Sequence, residues 1–113
     1  MATLASYVDR KLQGLYPELS KRRAALNELL RYGGSRNEPE PERVRLAVLK
    51  LAGSHLVELK KMVDGAKEDW EDVVSWAERP RETRCQLANR KLHENQRQKI
   101  QKEDQDEWES WLA

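Results

Sequence analysis

Phenylalanine is absent from the 113 residues, and cysteine occurs once, as Cys85. A single thiol closes no internal disulfide. That excludes a disulfide-stapled domain and makes a reducing cytoplasm the expected setting. Long apolar runs are also missing: no 18 consecutive apolar residues occur, and Asp9, Arg10 and Lys11 arrive before any stretch of signal-peptide length. The expectation is a chain that neither spans a membrane nor is exported. No asparagine sits in a glycosylation sequon. Gly33-Gly34 leads into Ser-Arg-Asn and prolines, not into a helix start carrying Lys-Ser/Thr, so no phosphate-cradling loop is expected.

Soft metal ligands are nearly absent too. His55, Cys85 and His93 are the whole set, with no CxxC or HxxxH spacing, so no zinc site is expected. Ala52 and Arg90 stand three before the two histidines, where a di-iron bundle needs Glu. Cys85 and His93 fall about two helical turns apart, and a lone cysteine of this kind reads as inert packing. Glu68, Asp69, Glu71 and Asp72 surround Trp70 but point in several directions off the apolar stripe, as a solvated face does. The expectation is no enzyme, no cofactor and no metal.

What is present is helical periodicity. Leu56, Leu59, Val63, Ala66, Trp70, Val73 and Ala77 recur three and four apart, which keeps all seven on one side of a helix. Hydrophobic residues are 38% and charged residues 36% of the chain, so the core is thin, but clustering at helical spacing argues for a folded domain and against disorder. At this length the chain is one domain with a single core. Pro80 ends the long helix, expected over 55–79. The segment before it, 41–52, is apolar almost all round, with Arg43 and Lys50 on a narrow polar strip; such a helix belongs at the centre of a bundle. Pro41 suits its first turn, and Ser54 is a candidate cap for the long helix. These two form an αα-hairpin, the nucleus of the fold.

Upstream, Leu4, Val8, Leu12, Leu15, Leu19, Leu26, Leu29 and Leu30 share a face if the helix is continuous. Pro17 interrupts that stretch, giving either one kinked helix or two helices; the unbroken phase favours a kink or a very tight joint. Gly33 suits the left-handed residue after a helix, and 33–41 is a loop within the domain. A sparser helical region follows over 83–112. The expected fold is an all-α single-domain bundle of four or five helices built on the 41–52/55–79 hairpin.

Net charge is +1 but comes in blocks: +5 over 1–63, −5 over 64–78, +6 over 79–102 and −5 over 103–113. Blocks of alternating sign point to helices that attract one another or to a self-complementary dimer surface. A nucleic-acid surface is the lesser reading, with Arg79, Arg81, Arg84, Arg90 and Lys91 as its phosphate contacts. No aromatic lies between 79 and 102 to stack on bases.

The four tryptophans are the sharper clue. Trp70 is on the core stripe. Trp76 lies about 100° from the stripe centre, on one shoulder with Met62 and Val73, facing either a third helix or a partner. Trp108 and Trp111, three apart on the last helix, either close the bundle or form an interaction hot spot; the closing role is favoured. The candidate partner-binding residues are therefore Met62, Trp76, Trp108 and Trp111.

The run Arg43-Val44-Arg45-Leu46-Ala47-Val48-Leu49-Lys50-Leu51-Ala52-Gly53, with Asp69-Trp70-Glu71-Asp72-Val73-Val74, Ala77-Glu78-Arg79-Pro80-Arg81 and the final Trp108-Glu109-Ser110-Trp111-Leu112, resembles a group of small bacterial proteins. The resemblance covers roughly 43–82 and the last few positions. It implies a compact helical fold of the bacterial cytoplasm and no known activity. The function expected is a non-enzymatic protein–protein interaction module that can pair with itself as a homodimer, with nucleic-acid association through 79–102 as the alternative.

Overall fold

The computed structural model describes residues 3–113. They form six helices: α1 (Leu4–Leu15), α2 (Leu19–Leu29), α3 (Pro41–Ala52), α4 (Leu56–Glu78), α5 (Pro80–Leu87) and α6 (Glu94–Leu112). No strand occurs among the described residues. The all-α single domain is as expected, with one helix more than the upper count because the sparse C-terminal region divides in two. No helix among the described residues is long and apolar enough to cross a membrane.

The α3–α4 hairpin is the centre. Val44, Leu46, Ala47, Val48 and Leu49 of α3 are all buried, as an all-round apolar helix requires. They meet Leu59, Val63, Ala66, Val73, Val74 and Ala77 of α4. The polar strip of α3 is paired with neighbouring elements. Arg43 holds Glu78 through two hydrogen bonds of 2.8 Å, and Lys50 Nζ donates to the Ala77 carbonyl and to Glu107, each at 2.6 Å. Arg45 donates to the Leu29 and Tyr32 carbonyls at 3.2 and 2.7 Å, closing the open C-terminal end of α2. His55 stands at the start of α4 and Ser54 makes no capping bond there, contrary to the role expected for it.

Pro17 decides the N-terminal region. Tyr16 adopts φ −127°, ψ 74°, outside the helical region that the following proline disfavours, and α1 and α2 are separate helices. Of the arrangements the sequence allows, the structure has two helices with a short joint, and the common face that a continuous helix would give is not kept. Val8, Leu12 and Leu29 are buried, while Leu4, Leu19, Leu26 and Leu30 face solvent. The joint is secured by Arg22, which donates to the Tyr16 and Pro17 carbonyls at 2.9 Å, and by the Tyr16 hydroxyl, which donates to the Gly53 carbonyl. α1 starts with a capping box in which Thr3 Oγ1 accepts from the Ser6 N–H and Ser6 Oγ from the Thr3 N–H.

The 30–40 connection is pinned by buried Tyr32, whose hydroxyl donates to the Pro39 carbonyl at 2.7 Å. Gly33 has φ +101°, and a Cβ there would lie 2.6 Å from Pro41 Cβ, so this position requires glycine. Glu38 accepts from the Gly33 and Gly34 N–H groups and from Lys67 of α4. The Lys67 bond, first, holds the Glu38 carboxyl below its ordinary range.

Candidate functional site

α4 is not one straight rod. Asp69 leaves the helical region at φ −151°, ψ 86°, and its Oδ1 accepts from the Asp72 N–H at 3.2 Å. That is the geometry of an N-cap three residues before its donor, so the helix restarts at Trp70 with Glu71 and Asp72 in its positive first turn. Glu68, Asp69, Glu71 and Asp72 are exposed, as the solvated-face reading expects. Their crowding also has a local reason: they restart a helix. The restart preserves the phase of the stripe, leaving Trp70 half-buried and packed against the core.

Beside the break lies a groove of about 440 Å³ between the end of α3 and both halves of α4. Leu51, Met62, Val73 and Trp76 give it apolar walls, and Lys61, Glu68, Asp69 and Asp72 line its polar side. The size is that of a ligand or anchor-residue pocket. Met62 and Trp76, named from the sequence as one shoulder, thus share one concavity, and no residue of α1, α2, α5 or α6 lines it. Leu51 was missed. It stands next to the break after α3, and its 38% exposure is its one signal. Lys61 pairs with Glu58. Glu68, Asp69 and Asp72 have no basic group within ion-pair distance among the described residues.

Trp108 and Trp111 lie elsewhere. Their rings stack at 5.4 Å with 28° between planes, Lys11 Nζ sits 4.5 Å over Trp111 and Lys50 Nζ 5.8 Å over Trp108. Both tryptophans, with Leu112, are half-buried against the core, and the Arg10 guanidinium donates to the Leu112 carbonyl. Burial first, and then repulsion from Arg10, lowers the pKa of Lys11. This pair fastens the end of α6 to α1 and α3, as the closing role requires.

The basic segment separates into one engaged residue and an open set. Asp104 of α6 is buried at 1% exposure. It accepts from the Arg81 and Glu82 backbone N–H groups at 3.1 Å and from the Arg81 guanidinium at 3.0 Å. A carboxylate from another helix therefore caps the start of α5, supplying the acceptors that Pro80 and its neighbours do not provide locally. Glu103 and Glu107 also lie within 3.4 Å of Arg81, so this cation is engaged within the fold. The Lys50 hydrogen bond, first, holds the Glu107 carboxyl below its usual range.

Arg79 donates to Ser75 Oγ. Arg84, Arg90, Lys91, Arg97, Lys99 and Lys102 are exposed and pair with no carboxylate among the described residues. α5 buries no residue. It ends in a Schellman turn, with Asn89 at φ +54° and Arg90 N–H bonded to the Cys85 carbonyl at 3.0 Å. Together α5 and the first half of α6 form a polar arm.

Cys85, half-buried, lines a cleft of about 320 Å³ between α5 and α6 with Arg90, Leu92, Arg97 and Ile100; His93 is not among the residues lining it. Among the described residues no group of three or more His, Cys, Asp or Glu side chains is placed to hold a metal ion. No family model matches the chain, and neither a curated protein nor a solved structure matches it.

Proposed function

We propose that the chain is a non-enzymatic interaction module and that the Met62–Trp76 groove is its binding site. The observation that carries this is one concave surface combining a tryptophan, a methionine and two aliphatic side chains with carboxylates that have no basic partner among the described residues. Trp anchors and adaptable Met are the residues that concentrate binding energy at protein interfaces. An acidic rim selects for Lys and Arg flanking an apolar anchor. The ligand class that fits is an amphipathic helix, read through residues three and four apart. The same reading sets the protein in a bacterial cytoplasm, where the Cys85 thiol stays reduced.

A selection of randomised 14-residue peptides displayed against the full chain tests this. The expected winners carry apolar residues three and four apart between Lys or Arg, and lose binding to Trp76→Ala. Acidic winners, or binding indifferent to Trp76→Ala, would overturn it.

A second reading, nucleic-acid association through the arm, draws on the six cations from Arg84 to Lys102 that have no acidic partner. The absence of aromatics from 79 to 102 and the near-neutral total charge weigh against it.

A further inference from the structure

We infer that the segment seated in the groove is the basic arm of a second copy of this chain. The inference rests on the groove being a protein-binding site and names its occupant. Leu87, at 76% exposure, is the most exposed large hydrophobic residue of the fold and sits at the tip of α5. Arg84 lies one turn before it, and Arg90 and Lys91 follow the Asn89 turn, all exposed. The arm therefore presents an apolar knob ringed by cations. The groove presents an apolar hollow, walled by Met62, Val73 and Trp76 and edged by Glu68, Asp69 and Asp72, with Lys61, itself paired to Glu58, as the one cation on its rim. The two surfaces complement each other in both polarity and charge.

They cannot satisfy each other within one chain as folded. No residue of α5 or α6 lines the groove, and the Asp104–Arg81 hub ties α5 to α6. A chain of net charge +1 thus keeps unneutralised charge of each sign on separate surfaces. A second copy supplies both missing complements at once. Seating each arm in the other's groove about a two-fold axis would leave neither surface open, whereas a single arm-to-groove contact would run on into longer assemblies, which a mass rising past two chains would reveal. With one knob and a small groove per side the interface is of the small, transient and salt-sensitive kind.

The test is light scattering of the full chain across concentration and salt, together with charge-swapped variants. The expected mass rises from one chain towards two with concentration at low salt, and returns to one at about 0.5 M salt. Leu87→Asp, at a position 76% exposed, makes the protein monomeric. So does reversing the arm, Arg84→Glu with Arg90→Glu, and so does reversing the rim, Glu68→Lys with Asp72→Lys. Mixing the two reversed proteins restores a pair, since each arm then meets a groove of opposite sign.

A protein monomeric at every concentration overturns the inference, as does a dimer indifferent to Leu87→Asp and to both reversals. A monomer retained on DNA or RNA, and released by the arm reversal, overturns it in favour of the nucleic-acid reading. A monomer that still binds the selected basic peptides through Trp76 sinks this inference alone. Loss of that peptide binding sinks the interaction site with it.

Discussion

The bundle of α1–α4 and the arm of α5 with the first half of α6 are held by different forces. In the bundle, Val44, Leu46, Leu49, Leu59 and Val63 are fully enclosed, and polar groups such as Arg43, Arg45 and Lys50 close the edges. In the arm nothing apolar is fully buried, and one carboxylate, Asp104, supplies the anchor. Apolar packing is non-directional and cumulative, so the bundle tolerates imperfect detail. A polar hub is directional and fails as a unit when one member is removed.

The sharpest way to break this comparison is to truncate both sides. Leu49→Ala removes a fully enclosed side chain and is expected to cost about 2–5 kcal/mol of global stability in urea unfolding. Leu87→Ala, on the arm, is expected to change it by no more than about 0.5 kcal/mol. Equal losses would mean that the arm packs as the bundle does.

Asp104→Ala comes next. It leaves the Arg81 and Glu82 backbone N–H groups without their acceptor and takes one of three carboxylates from the Arg81 guanidinium. The expected loss is about 2–3 kcal/mol, the cost of stranding partly buried donors. Native-state hydrogen exchange locates it: amides of 81–90 lose protection while those of α3 keep theirs. If α3 loosens equally, the two regions are one cooperative unit.

The smallest effect is on pH. Glu107 joins the regions, accepting from Lys50 of α3 and facing Arg81 of the arm. Its pKa is lowered from the ordinary 4.5, chiefly by the Lys50 bond. A group more acidic when folded contributes stability above its ordinary pKa, and that contribution is lost as pH falls through the folded value. Urea midpoints are therefore expected to drop below about pH 4.5, and Glu107→Gln to flatten that drop. An unchanged slope in Glu107→Gln would detach this carboxylate from the junction.

Much of the bundle was legible from residue spacing. Leu59, Val63, Ala66, Val73 and Ala77 recur on one stripe and are buried, and Pro41 and Pro80 bound the helices as backbone chemistry dictates. The Met62–Trp76 shoulder followed from the same angular argument. The rest depended on groups distant in sequence. Phase alone placed Leu19, Leu26 and Leu30 inward, but it assumes a continuous axis, and the Pro17 joint turns them to solvent. The break at Asp69 was hidden because the restarted helix keeps the apolar rhythm. The partners of Asp104 lie more than twenty residues away, where no local pattern reports them. The engagement of Arg81, and the lack of acidic partners for Arg84 and Arg90, are likewise decided only by the assembled helices.

The interruption at Asp69 has a consequence for changes in chain length. In an uninterrupted helix one inserted or deleted residue swings everything beyond it by about 100°, which would carry Val73 and Ala77 out of the interior. A joint that already breaks the ladder and starts a new first turn can absorb such a change in length. One residue inserted at 68–69 is therefore expected to lower the urea midpoint less than one inserted between Leu59 and Val63.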